Sequence, residues 1–317
     1  MTRIGTSTLD ILPLSLGGNV FGWTADRDES FAILDAFAAG GGDFIDTADS
    51  YSAWVPGNSG GDSERIIGEW LASRRPEGVV VATKVSQHPE FKGLSARNIR
   101  AAAEASLKRL GVDAIDLYYA HFDDASVPLE ETVGAFGELV TDGLVRYTAV
   151  SNYSADRIRE WVGIAKAAGS ALPVAIQPHY NLVHRGDVEQ NIVPVADEFG
   201  MSLVPYYALA SGFLTGKYRS TDAAGQASPR AGGAAKYATA QGLAIIDALD
   251  GVGKAHDISI AATALAWLRA QPAVAAPIAS ASRVAQVADL LDGARVELTP
   301  DQVAALNAVS EWSPAGV

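Results

Sequence analysis

Four side chains, Asp46, Tyr51, Lys84 and His121, are of the types that together could move a proton to or from a carbonyl oxygen. A free phenol titrates at about 10, too high to part with its proton easily at neutral pH. A nearby ammonium favours the phenolate and lowers that value. A carboxylate beside the ammonium would hold it in place and charged, and an imidazole can donate a hydrogen bond that orients the substrate oxygen. The set has no hydride source, so a reduction would need a cofactor. Taken alone, a lysine at such a position also admits a Schiff-base lyase or aldolase.

The elements that must position these groups are legible around them. Nearly continuous apolar runs occupy 12–16, 43–46, 79–84, 115–121, 146–152, 173–177, 203–207 and 274–279. Continuous rather than alternating runs suit parallel strands buried on both faces. Asp46 and Thr47 close the second run, Lys84 the third, His121 the fourth, Ser151 and Asn152 the fifth, and Gln177 the sixth. Desolvating a polar group is costly without a purpose, so this placement is itself a signal. Helical patterns lie at 29–39, 63–74, 96–110, 128–141, 155–168, 187–199, 258–270 and 283–291, with one more after Thr299-Pro300; most carry a cap residue before or a glycine or proline after. Eight β/α units predict an α/β fold, a (β/α)8 TIM barrel forming a single domain over 1–317, with an N-terminal hairpin around Arg3–Leu9 plugging its bottom and extra helices. A doubly wound sheet is the alternative. In a barrel of this type the strand ends form the catalytic mouth. The Gly-, Ala- and Ser-rich stretch 218–242 would lie over that mouth as a lid or as a passive insertion.

Composition removes other classes. The 317 residues hold no cysteine, which excludes disulfide scaffolds, cysteine–zinc sites, iron–sulfur ligation and a cysteine nucleophile. The net charge of −13 argues against nucleic acid as a partner. No long uncharged apolar stretch and no N-terminal hydrophobic region occur, so a cytoplasmic protein with no membrane partner is expected. Gly57-Asn58-Ser59-Gly60-Gly61 imitates a hydrolase nucleophile elbow but lacks the strand before and the helix directly after it. Gly212 to Tyr218 imitates a phosphate loop, one residue short, with Tyr218 where a magnesium-binding hydroxyl belongs.

Read together, the motifs resemble the aldo-keto reductase superfamily. Asp46-Thr47-Ala48-Asp49-Ser50-Tyr51 resembles its DTAxxY signature, and Ser63-Glu64 through Gly68 its following helix. Ser151-Asn152, Gln177-Pro178-His179-Tyr180-Asn181 and the Tyr206–Lys217 stretch resemble the motifs that follow, in order, from about residue 5 to 310. The resemblance implies hydride transfer between NADP(H), with NAD(H) as the other possibility, and an aldehyde, ketone or alcohol of small size. Tyr51 would be the general acid, Lys84 would lower its pKa, Asp46 would pair with Lys84, and His121 would orient the carbonyl. Members that reduce activated C=C bonds tend to carry Glu at the His121 position, so carbonyl reduction is implied. Thr47 would lie beside the cofactor. Ser151, Asn152 and Gln177 would bond the nicotinamide carboxamide and Tyr206 would stack on its ring. Ala208, Leu209, Ser211, Gly212, Leu214, Gly216 and Lys217 would cradle the pyrophosphate. Ser280, Ser282 and Arg283 would take a 2′-phosphate and Gln286 the adenine, although Ser282 occupies the family's arginine position and Leu290 its asparagine. Phe21, Trp23, Trp54 and Phe122 are the aromatic candidates for a substrate pocket. A channel-associated branch of the same superfamily keeps open a cofactor-binding sensor with little turnover.

Overall fold

The computed structural model describes residues 1–219 and 231–312. Strands β1 (Thr2–Arg3) and β2 (Asp10–Ile11) pair antiparallel as a hairpin. Eight parallel strands follow: β3 (Ser15–Gly17), β4 (Phe44–Asp46), β5 (Val80–Val85), β6 (Ile115–Ala120), β7 (Val145–Ser151), β8 (Pro173–Gln177), β9 (Ser202–Leu203) and β10 (Ile278–Ala279). They form one sheet in the order β10-β3-β4-β5-β6-β7-β8-β9. The two ends of that order meet. Leu203 donates its N–H to the Ala273 carbonyl at 2.7 Å, and Ile278 donates to Pro205 at 2.8 Å. These bonds close the sheet into the (β/α)8 barrel that the eight apolar runs predict.

Helices α1 (Arg27–Ala39), α2 (Asp62–Arg74), α3 (Ala96–Leu110), α4 (Leu129–Thr141), α5 (Ala155–Ala168) and α6 (Val193–Phe199) lie between the strands. They are followed by α7 (Ala231–Ala235), α8 (Ala240–His256), α9 (Ile260–Arg269), α10 (Val287–Arg295) and α11 (Pro300–Val309). Ser154 caps α5 by accepting the Arg157 N–H, and Gly169 ends it in the left-handed region. Three helical expectations change. The 187–199 pattern splits into a π-turn over Val188–Ile192 and α6, because Pro194 has no N–H for the ladder. The 283–291 helix starts later, at Val287, after a 3-10 turn over Val284–Gln286. Helix α8 has no counterpart among the expected elements, and α7 lies inside the stretch read as an insertion or lid. Within that stretch, 220–230 falls outside the described residues.

Two apolar cores result from the two faces of the strands. Ile45, Val81, Tyr118, Val150 and Ile176 pack outward against the helices. Phe44, Val80, Ala82, Leu117, Tyr119, Ala149, Ala175 and Ile278 fill the barrel with Ile4, Leu9 and Ile11 of the hairpin. The hairpin therefore closes the interior from below, leaving the C-terminal ends of the strands as the open mouth.

Candidate active site

Strand side chains alternate between faces. The inward series runs Val80, Ala82, Lys84 on β5 and Leu117, Tyr119, His121 along β6 and just past it. It runs Ala149, Ser151 on β7 and Ala175, Gln177 on β8. Each series is apolar below and polar at its last position. The top layer of the filled barrel is therefore a polar ring, formed by the same two-residue period that makes the core beneath it.

Lys84 is the centre of that ring and is fully buried. Its Nζ donates to Asp46 Oδ1 at 2.5 Å, to the Thr47 carbonyl at 2.6 Å and to Tyr51 Oη at 3.0 Å. An ammonium has three protons, and all three are used. Burial alone would drive Lys84 down, but Asp46 and Tyr51 outweigh it and hold it above its ordinary value, so it is a cation. Burial raises Asp46, opposed by Lys84 and by the Gln177 amide, which donates to Asp46 Oδ2 at 2.9 Å. With a donor on each oxygen, Asp46 is the carboxylate of the pair. Since Tyr51 Oη accepts from Lys84, its own proton is free to point into the cleft.

Tyr51 is not lowered on balance, contrary to the expectation. Burial raises the phenol, Lys84 opposes it, and the net direction is upward. Such a group stays protonated until a reaction takes its proton. His121 lies beside it, ring centroids 6.1 Å apart. Burial and the Lys84 charge push its imidazole well below its usual value, so it is neutral, and its Nδ1 is buried without a partner among the described residues. Helix α2 fixes the loop that carries Tyr51. Ser63 Oγ accepts a hydrogen bond from the Thr47 hydroxyl at 2.8 Å and donates to the Gly18 carbonyl at 2.8 Å. Glu64 accepts from Thr83 at 2.6 Å and from Arg109 at 2.5 Å.

A cleft of about 900 Å³ opens above the ring, at the large end of ligand sites. Its lining includes Asp46, Tyr51, His121, Ser151, Asn152, Gln177 and Tyr206. Ala208, Leu209, Ser211, Gly212, Lys217, Ser280, Ser282, Arg283 and Gln286 also line it, with Trp54 and Phe122 at the rim. The amide-side residues are tied to one another. Ser151 Oγ donates to the Gln177 carbonyl at 3.0 Å, Asn152 Nδ2 donates to Ser151 Oγ and the His121 carbonyl, and Tyr206 Oη donates to Asn152 Oδ1 at 2.8 Å. A ligand carboxamide must share these groups rather than find them free. Gln286 Oε1 likewise accepts the Ser282 N–H at 2.8 Å.

The loop over 207–216 threads several positive φ angles, at Tyr207, Ala210, Ser211, Gly212 and Gly216. Gly212, Leu214 and Gly216 donate their N–H groups to Leu209 and Phe213, within the loop. Leu214 is fully buried in the outer core. The side chains of Ser211 and Lys217, rather than these amides, are what the loop offers the cleft. Lys217 and Arg283 line the cleft, and neither makes an ion pair among the described residues of this acidic chain. Two cations outside ion pairs among the described residues, Lys217 lying over the Tyr218 ring at 4.9 Å, and the hydroxyls of Ser211, Ser280 and Ser282 suit a phosphate-bearing cofactor.

Not every candidate sits at the cleft. Phe21 is fully buried in the outer core, where its ring packs rather than binds. Trp23 touches the rim indirectly, edge-on to Trp54 at 5.6 Å. Thr47 acts from behind, through its carbonyl on Lys84. Residues not among the candidates also line the cleft: Asn19, Thr24, Tyr207, Thr215 and Asp289. Asn19 was findable, since Leu16-Gly17-Gly18-Asn19 ends the first strand run with a polar group, and it accepts from Ser280 at 2.6 Å. Among the described residues no helix is long and apolar enough to cross a membrane.

A model of the aldo/keto reductase family matches residues 13–311. A rice protein described as a probable voltage-gated potassium channel subunit beta is 32% identical, over 98% of this chain and 97% of its own. Aldo-keto reductase str7 of Strobilurus tenacellus is 31% identical over 99% of this chain and 90% of its own. Protein tas of Escherichia coli K12 is 30% identical over 98% and 97%. The chain belongs to the aldo/keto reductase family, whose members are oxidoreductases of carbonyl groups that use nicotinamide cofactors.

Proposed function

We propose that this family member reduces aldehydes or ketones, and oxidises the corresponding alcohols, with Tyr51 as general acid and NADP(H) as the preferred cofactor. The observation that carries this reading is the full commitment of the Lys84 ammonium to Asp46, Thr47 and Tyr51. A bound nicotinamide supplies the hydride to the carbonyl carbon. Tyr51 Oη delivers its proton to the carbonyl oxygen, and the phenolate left behind rests against Lys84 at 3.0 Å. Neutral His121 donates a hydrogen bond to the same oxygen and aligns it. Asp46 keeps Lys84 charged through the cycle, and Gln177 keeps Asp46 ionised and still. Lys217, Ser211, Ser280, Ser282 and Arg283 hold the phosphates, and Tyr206 supports the ring. Trp54 and Phe122 flank the entry, which fits substrates with an apolar or planar body.

The same bonding weighs against a Schiff-base lyase. A lysine nucleophile needs a free lone pair, whereas Lys84 is a buried cation with every proton donated. The test is titration of the protein with NADPH and NADH by fluorescence quenching, then a panel of aldehydes, with Tyr51→Phe beside the wild type. Tyr51→Phe is expected to bind NADPH normally and to lose at least about a thousandfold in kcat. Wild-type turnover in Tyr51→Phe refutes the assignment.

A further inference from the structure

Tyr206 is supported on the side away from the cleft by two histidines that the proton chemistry does not use. The His179 ring stacks on Tyr206 with centroids 5.4 Å apart and planes 25° apart. His184 stacks on His179 at 3.9 Å and 13°. Tyr207 meets His179 edge-on at 5.1 Å, closing the side of the column. The column is therefore Tyr206, His179, His184, and only its first ring lines the cleft.

Buried Asn181 fixes the protonation of the middle ring. Its Oδ1 accepts the Val183 N–H at 2.9 Å and its Nδ2 donates to the Tyr207 carbonyl at 2.9 Å, so the amide can point only one way. The same Nδ2 faces His179 Nε2 at 3.4 Å. That nitrogen must accept, which makes His179 neutral with its proton on Nδ1. A proton on Nε2 would set two donors against each other. The surroundings agree: burial, the neighbouring His184 and Lys236 push His179 down to about 4. Burial and Lys236 also lower His184, against the opposing charge of Asp187. Two neutral imidazoles can stack at this spacing, whereas two imidazoliums would repel.

We propose that His179 and His184 are positioning residues, a neutral stacked pair that sets the plane of Tyr206 and through it the seat of the cofactor ring. This rests on the nicotinamide reading of the cleft. Simple space-filling would require only volume at position 179. Stacking requires an uncharged aromatic plane, so the two can be separated by shape-matched substitutions. Aromatic pairs contribute enough beyond their buried area to shift affinity severalfold.

The experiment is fluorescence titration of the purified full chain with NADPH and with NADH. His179→Phe keeps the plane and is expected to bind within about twofold of wild type. His179→Leu keeps most of the volume without the plane and is expected to bind roughly 3- to 10-fold more weakly. His184→Ala removes only the outer ring and is expected to weaken binding about 2- to 3-fold, which keeps the test decisive if a His179 variant does not fold. Wild-type affinity in both His179→Leu and His184→Ala overturns the proposal while leaving the cofactor reading intact. Failure of the wild type to bind either nucleotide overturns both.

Discussion

Replacing Lys84 with methionine removes the cation on which Asp46 and Tyr51 both depend. The Lys84–Tyr51 contact is 3.0 Å long and Lys84 is fully buried, so solvent and salt screen it little. A hydrogen bond to a charged group contributes about 1.5–3 kcal/mol. Dividing by about 1.36 kcal/mol per pKa unit gives about 1–2 units. Lys84 stabilises the phenolate, so its loss moves Tyr51 further up. In the proposed reaction alcohol oxidation requires that phenolate, and its rate should therefore rise with pH through the Tyr51 titration. In Lys84→Met that limb is expected to move about 1–2 units to the alkaline side, with kcat near neutral pH lowered about 10- to 150-fold. The substitution also leaves Asp46 buried without its partner, which typically costs about 3–5 kcal/mol of stability. The double variant Asp46→Asn/Lys84→Met separates the two effects: it should recover much of the melting temperature and, of the pH shift, only the part that the Asp46 charge adds. The assay is the pH profile of oxidation of a secondary alcohol, with thermal unfolding of each variant. A Lys84→Met enzyme with an unmoved limb and kcat within about twofold of wild type would refute the reasoning.

Arg283→Ala should weaken NADPH roughly tenfold and NADH little, because a 2′-phosphate is the group that distinguishes them. Equal loss for both in a fluorescence titration would place Arg283 elsewhere on the nucleotide. Asp49 is fully buried, neither of its carboxylate oxygens has a hydrogen-bond partner among the described residues, and burial and Glu64 push it well above the carboxylate range against the pull of Arg109. With the folded value raised, its contribution is complete below the unfolded value of about 3.9 and is lost as pH rises through the folded one. Asp49→Asn removes that loss. Its urea midpoint should therefore fall less than that of wild type as pH rises above about 3.9, and parallel profiles would contradict the assignment.

The barrel was readable because its strands are buried on both faces, which writes each one as an apolar run ending in a polar residue. Lys84 and Gln177 ended such runs and lie at the rim of the filled interior. What escaped had weaker signals. Helix α8 carries Gly242, Gly251 and Gly253, which blunt a helical pattern, and its cap Thr239 follows a low-complexity stretch. Phe21 and Trp54 are both aromatic residues in mouth loops, yet one is fully buried and the other half-exposed. Sequence spacing in a loop does not say which way a ring turns, because no repeating backbone geometry links it to the strand. The direction of the Tyr51 shift was hidden for a related reason: residue types identify the ammonium, but only the packed structure tells how much burial opposes it.

The level of Lys84 in the barrel decides what it can do. One inward position lower on β5 is Ala82, paired with Leu117 inside the filled apolar interior. An ion pair there would be desolvated with nothing to act on. Beyond the strand ends, water would screen the charge and release the geometry. At the last inward position Lys84 is buried, yet two of its three partners, Asp46 and Tyr51, line the cleft, and of these Tyr51 is the one that carries a proton. The field of a buried cation is thus delivered to a single accessible proton. The other two partners, the Asp46 carboxylate and the Thr47 carbonyl, lie one residue apart on the strand that leads into the Tyr51 loop. Any shift of that loop would disturb all three acceptors, so the α2 bonds from Ser63, though remote from the cleft, would bear on the proposed proton transfer.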